Sequence, residues 1–292
     1  KKTLLAAATL ACTLCLVACS SDGTSTEPEP ADTVFTGANI CTVNPDAPWA
    51  TALSITKGRI SHVGDELSVE PYVGAETTVV DLGGRLVLPG FVDTHAHPLL
   101  SAGLSYALTV DTSLGPEDLV EAVRSYAVAN PEAEVILGFG FNAAQFGPTG
   151  PRKELLDEAV SDRPAMLIDE GSHSAWVNSK LIEVLGIGPD TPDPVPGVHF
   201  YQRDEAGNPT GWFLEAQTFF PALAELDAFD AAGAGNPSNI VYGLLVAGGV
   251  TTVLDAGAFV FEEQALEIAR QMDRRGTLPF RLVASHMITD PG

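Results

Sequence analysis

R-L-V-L-P-G-F-V-D-T-H-A-H-P-L-L, residues 85–100, is an apolar run that turns polar only near its end. Apart from its Pro-Gly step it has the composition of a buried strand. Asp93, His95 and His97 stand two residues apart, so in an extended chain they project to one face. Thr94 and Ala96 point the other way and are small enough to lie under a helix layer. Two imidazoles one pleat apart at the end of a buried strand make a ready pair of ligands for one divalent metal. The structural alternative is a pair of core or turn histidines.

On the N-terminal side, residues 34–81 alternate apolar and polar positions in three short runs, VFTGANICTV, ATALSITKGRISHVG and TTVVDLGG. Breaks at Gly, Asn-Pro and Asp give the pattern of a small antiparallel β unit. On the C-terminal side helix and strand alternate, which points to an α/β architecture. Helices are expected over 116–129, 152–160, 176–185, 236–247 and 261–275. Strands are expected over 135–142, 164–171, 251–257 and 280–287, with a Pro-rich loop at 189–196 and a short β excursion to Leu214.

The 292 residues are 45% hydrophobic and 18% charged, which supports a large core and excludes a disordered chain. Only 15 Lys and Arg stand against 38 Asp and Glu, a formal net charge of −23. A nucleic acid held by phosphate neutralisation is therefore not an expected partner. An acidic surface of this kind attracts cations.

The N-terminus reads as an address. Lys1 and Lys2 precede an apolar run over 4–18, too short to span a bilayer comfortably and suited to the core of a signal peptide. Leu16-Val17-Ala18-Cys19, followed by Ser20, resembles a bacterial lipobox. Residues 1–18 are expected to be cleaved and Cys19 to carry the lipid, with residues 19–33 forming the lipidated Cys and a polar tether. The expected location is the cell envelope, at the outer membrane or its periplasmic side in a Gram-negative cell, with the lipid as the only membrane contact. Cys12 and Cys15 leave with the signal, so Cys41 has no partner for an internal disulfide.

Several stretches then occur in a telling order: PGFVDTHAHPLLSAGL (89–104) after a K-G-R-I-x-x-V-G turn, SDRPAMLIDEGSHSAWVNSKL (161–181), GNPTGWFLEA (207–216) and GGVTTVLDAG (248–257). Together they resemble the amidohydrolase superfamily, in particular its branch of N-substituted formamide deformylases and YtcJ-like proteins. The resemblance implies an α/β fold: a partial TIM (β/α)8 barrel, with residues 34–89 as the N-terminal part of a β-sandwich. Residues 90–292 would supply the N-terminal part of the barrel, carrying an α/β insertion at about 110–240 and stopping after about three barrel strands. The site would lie at the C-terminal ends of those strands.

On the same resemblance His95 and His97 take the metal-ligand role, for a divalent ion expected to be zinc, one or two per chain. The implied reaction is hydrolysis of a non-peptide C–N bond, of amide or formamide type, in a small molecule by metal-activated water. Glu215 matches the family's Glu as a metal ligand or substrate contact, against a salt bridge or cap. His173 is a metal or substrate contact at the mouth of the site, or a helix-start histidine bonding backbone. Asp255 is expected to be structural or to support the ligands, His62 and His199 to lie on surface strands, and His286 to end a strand without a family role.

The superfamily also draws a Lys, two further His and a catalytic Asp from later barrel strands. Lys57, Lys153 and Lys180 fall in a turn and in helices, so none matches. The catalytic Asp is expected beyond Gly292, and the chain reads as a fragment that is inactive alone. The alternative from a different class is a lipid-anchored surface protein of this fold that binds without catalysis. Oligomeric state is not legible.

Overall fold

The computed structural model describes residues 28–286. The expected signal sequence, the expected lipidation site at Cys19 and most of the expected tether lie outside the described residues. The chain divides into two compact units between Pro89 and Gly90.

The first unit runs β1 (Thr33–Thr36), β2 (Asn39–Cys41), β3 (Trp49–Ala50), β4 (Ala52–Thr56), β5 (Arg59–Gly64), α1 (Glu66–Val69), β6 (Thr78–Asp81) and β7 (Leu86–Val87). They form a four-stranded sheet in the order β5-β4-β1-β6 and a three-stranded sheet in the order β3-β2-β7. The β4–β5 hairpin closes through Lys57 and Gly58, both at positive φ, as a two-residue primed turn requires. The unit is not wholly antiparallel as its punctuation suggested, because β1–β6 and β2–β7 are parallel pairs. Parallel neighbours need a crossover. Between β5 and β6 it is supplied by α1 and a 3-10 turn at Glu70–Tyr72. Asp65 and Ser68 cap that helix reciprocally, a signature hidden in a segment one turn long.

The second unit runs β8 (Phe91–Ala96), α2 (Pro98–Gly103), β9 (Leu108–Thr109), α3 (Pro116–Ala129), β10 (Ile136–Phe141), α4 (Lys153–Asp157), β11 (Ala165–Asp169) and β12 (Ser174–Val177). It continues with α5 (Ser179–Val184), β13 (Phe200–Arg203), β14 (Pro209–Leu214), α6 (Ala216–Glu225), α7 (Ala231–Ala234), α8 (Ile240–Ala247), β15 (Val250–Asp255), α9 (Glu262–Arg274) and β16 (Arg281–Ala284). Two sheets result. β8, β15 and β16 form a parallel sheet with β15 in the middle. The long excursion between β8 and β15 builds a six-stranded mixed sheet, order β13-β14-β12-β11-β10-β9.

Amphipathic spacing explains α3. Leu119, Val123 and Ala127 recur every four residues and are buried, behind Pro116 at the first helical position. Its C-terminal end is held by Arg163. One terminal nitrogen donates to the carbonyls of Asn130, Pro131 and Ala133, the other to that of Ala127. The large core joins α2, α6 and α9 to β11, β12 and β15 through residues such as Leu99, Phe219, Met272 and Val253.

Some expected boundaries move. Residues 176–185 are not one helix: Ser174–Val177 is a strand paired antiparallel with β11 and β14, and the helix starts at Ser179. Trp176 is fully buried in that strand, and Asn178 both ends the strand and caps the helix. α8 starts at Ile240 rather than near 236, because Asn239 accepts from the Val241 N–H and leaves Pro237 in the preceding turn. α4 covers only Lys153–Asp157 of the helix expected over 152–160. No helix among the described residues is long and apolar enough to cross a membrane.

Candidate functional site

The parallel register brings the ends of β8 and β15 to one level. Asp255 stands opposite Ala96, and the Ala256 N–H donates to the Ala96 carbonyl at 2.8 Å. His95 is the penultimate residue of β8. His97 lies just beyond it at the N-cap of α2, with Pro98 at the first helical position. The strand therefore ends one residue earlier than an unbroken D-x-H-x-H alternation would have it. Their rings nonetheless sit edge to face with centroids 5.5 Å apart. Thr94, expected under a helix, is exposed, because β8 is an edge strand.

His97 is fixed from behind. Its Nδ1 lies 2.7 Å from the Gly257 carbonyl oxygen, which can only accept, so Nδ1 carries the proton and Nε2 keeps its lone pair. The Gly257 N–H in turn donates to Asp255 Oδ1 at 2.9 Å. Asp255 is 2% exposed, and its Oδ2 has no hydrogen-bond partner among the described residues. Burial pushes the Asp255 carboxyl up from its ordinary range. The sequence offers Asp255 as structural or as a support of the ligands, but it marks this turn only as D-A-G after a strand, a pattern common to many Asx turns, so the link through Gly257 to His97 is not legible in it.

A metal-binding imidazole usually donates its other ring nitrogen to a carbonyl or carboxylate. His97 is arranged in that way, and His95 is exposed beside it. These two residues fit a divalent ion as two of its ligands. Among the described residues no group of three or more His, Cys, Asp or Glu is placed to hold one.

His173 and Glu215 come together elsewhere in the same unit. His173 sits in the turn before β12, so it is not a helix-start residue, and Asp169 Oδ1 accepts from the backbone N–H groups of His173 and Ser174. Glu215 follows β14 at φ 69°, its N–H donating to the His173 carbonyl at 2.7 Å. His173 Nδ1 donates to Glu215 Oε2 at 3.0 Å. The hydrogen bond and charge of Glu215 hold the His173 pKa above its ordinary value. Glu215 thus makes the salt bridge, and its side chain does not cap α6.

The other candidates have structural partners. His286 donates through Nδ1 to Glu262. His199 Nδ1 accepts from the Gln217 N–H, and His62 in the first unit stacks on Tyr72. Lys57 pairs with Glu29, Lys180 with Glu183, and Lys153 donates to the Pro209 carbonyl. Beside His97 a cavity of about 420 Å³ opens, lined also by Phe259, Phe220 and Ser172, the neighbour of His173.

A sequence profile of the amidohydrolase family matches residues 78–291. The exoenzymes regulatory protein AepA of Pectobacterium carotovorum subsp. carotovorum is 38% identical over 191 residues, 64% of this chain and 41% of that protein. The N-substituted formamide deformylase of Arthrobacter pascens is 29% identical over 263 residues, 87% of this chain and 47% of that enzyme. The crystal structure of an uncharacterised metal-dependent hydrolase from Pyrococcus furiosus superposes with a TM-score of 0.60 at 25% identity, covering 86% of this chain and 49% of that one. The chain spans about half the length of the relatives it matches.

Proposed function

The chain belongs to the amidohydrolase family, and we propose that it serves a metal-dependent hydrolase acting on a non-peptide C–N bond, of amide or formamide type, in a small molecule. The observation that carries this reading is His97, whose Nδ1 is committed to the Gly257 carbonyl beside His95 at the end of a parallel strand. His95 and His97 would hold the ion, which we take to be zinc. Bound there, such an ion supplies acidified water and a polarised carbonyl.

The chain's own groups act around it. Gly257 fixes the tautomer and plane of His97, and Asp255 fixes Gly257. Phe259 lies over one face of the His97 ring and keeps water from it. His173, kept protonated to higher pH by Glu215, holds a proton at the segment where Ser172 enters the cavity wall. On this reading it offers a hydrogen bond to a polar substrate group at the cavity mouth.

The test is hydrolysis of a neutral amide by the full-length protein, followed as amine release. Turnover should stop on treatment with a chelator and return on adding zinc. Turnover indifferent to the chelator, or none with metal restored, contradicts the reading. The same assay separates it from a surface protein that binds without catalysis. Lipid anchoring at Cys19 remains part of the proposal. Cys19→Ala should release the full-length protein from membranes or block its processing, and unchanged membrane association would contradict it.

A further inference from the structure

Three rings stand in series beside the histidine pair. His97 lies against Phe259 with centroids 5.5 Å apart and planes 28° apart, and Phe259 stacks on Phe220 at 4.1 Å and 14°. The series forms one wall of the cavity of about 420 Å³, a size that takes small organic ligands. Leu104, Phe139, Ile168 and Val241 continue that wall in apolar material, and Ser101, Ser105, Thr109 and Ser172 add only hydroxyl-bearing side chains. Among the described residues, no Asp, Glu, Lys or Arg lines it.

The lack of charge is informative in a chain with 38 Asp and Glu. The groove along β16 carries Arg270, Asp273 and Arg281, and the groove at the end of α3 carries Glu132, Asp162 and Arg163. An ionised substituent placed against Phe259 and Phe220, away from the histidine pair, would lose water and find no carboxylate, ammonium or guanidinium among the described lining residues, which is unfavourable. An apolar ring would lose water at no such cost and meet the faces and edges of three aromatic side chains. A single methyl group would leave most of the cavity to solvent.

We propose that this cavity is the substrate-selecting subsite and that it receives an uncharged, planar, apolar substituent of the amide. The assignment rests on reading His95 and His97 as the hydrolytic centre, because their position decides which end of the cavity holds the carbonyl.

The probes are phenylacetamide, its para-carboxylate and acetamide. Binding is measured by calorimetry on the chelator-treated full-length protein, and hydrolysis separately with zinc restored. Phenylacetamide should bind at least about tenfold more tightly than either of the others, a difference of about 1.4 kcal/mol. Thr109→Lys, at an exposed position of β9, should make the para-carboxylate the better ligand. Leu244→Lys, on the exposed side of α8, should shift the preference the same way. Equal binding of all three compounds by the unmodified protein, or a preference for the carboxylate, overturns the proposal. Phenylacetamide binding without hydrolysis would sink the hydrolase reading and leave the cavity assignment standing. Hydrolysis of acetamide and phenylacetamide with equal kcat/KM would sink the cavity assignment and leave the hydrolase standing.

Discussion

The ring of His97 is held by a residue 160 positions away, as its proposed role as a metal ligand requires. The Asp255–Gly257–His97 series makes this testable without reference to turnover. Asp255→Ala removes the acceptor that fixes Gly257, and loss of such outer support typically lowers metal affinity by about 10–100-fold. Asp255→Asn keeps an oxygen for the Gly257 N–H and should retain most of the affinity. Chelator competition on the full-length protein measures both, and equal zinc affinity in the Ala variant would show that the turn does not support His97. At His173 the prediction concerns pH. Its folded pKa is raised, so pairing with Glu215 contributes fully below the unfolded value of about 6.5 and is lost as pH rises through the folded value. The pair is exposed, so its effect on stability is small. The proton resonances of the ring should report a midpoint above that of free histidine, and Glu215→Gln should bring it back. A midpoint unchanged by the substitution would remove Glu215 as the cause.

Elements show what the residues alone could and could not disclose. α3 was legible to the residue, since Pro116 starts a run of apolar positions four apart, and that periodicity belongs to helices only. β12 was not. S-A-W-V sits directly before the helix-capping Asn178, and pairing with its neighbour β11 and with β14, about thirty residues on, makes it extended. Asn178 itself is the joint. Its Oδ1 accepts from the N–H groups of Ala165 and Leu181, and its Nδ2 donates to the carbonyls of Val160 and Arg163, all at 2.8–3.0 Å. The residue is fully buried, so Asn178→Ala strands these groups and removes the cap of α5. A loss of about 2–4 kcal/mol in a denaturant melt is expected, from about 1–3 for an unmet buried group and about 0.5–2 for the cap. A change within about 0.5 kcal/mol, the usual range for a surface site, would contradict this account of the joint. The histidine pair proposed as ligands is legible because its spacing is local. The aromatic series His97–Phe259–Phe220 was not, since it joins three segments that only tertiary packing brings together.

At the scale of the molecule, the three parallel strands present their C-terminal ends to one side, and the candidate ligands gather there as they do in α/β enzymes generally. β8 and β16 are edge strands, with Phe91 56%, Val92 61% and Val283 51% exposed. Unpaired edges bearing apolar side chains favour association, so measurements on the site belong in the full-length protein. The central claim is that His95 and His97 hold a divalent metal. Its most direct test is elemental analysis of the purified full-length protein beside the His95→Ala/His97→Ala double variant, with circular dichroism confirming that both are folded. The claim predicts zinc in the parent and its loss, for the most part, from the folded variant. A folded variant holding as much metal as the parent would contradict it.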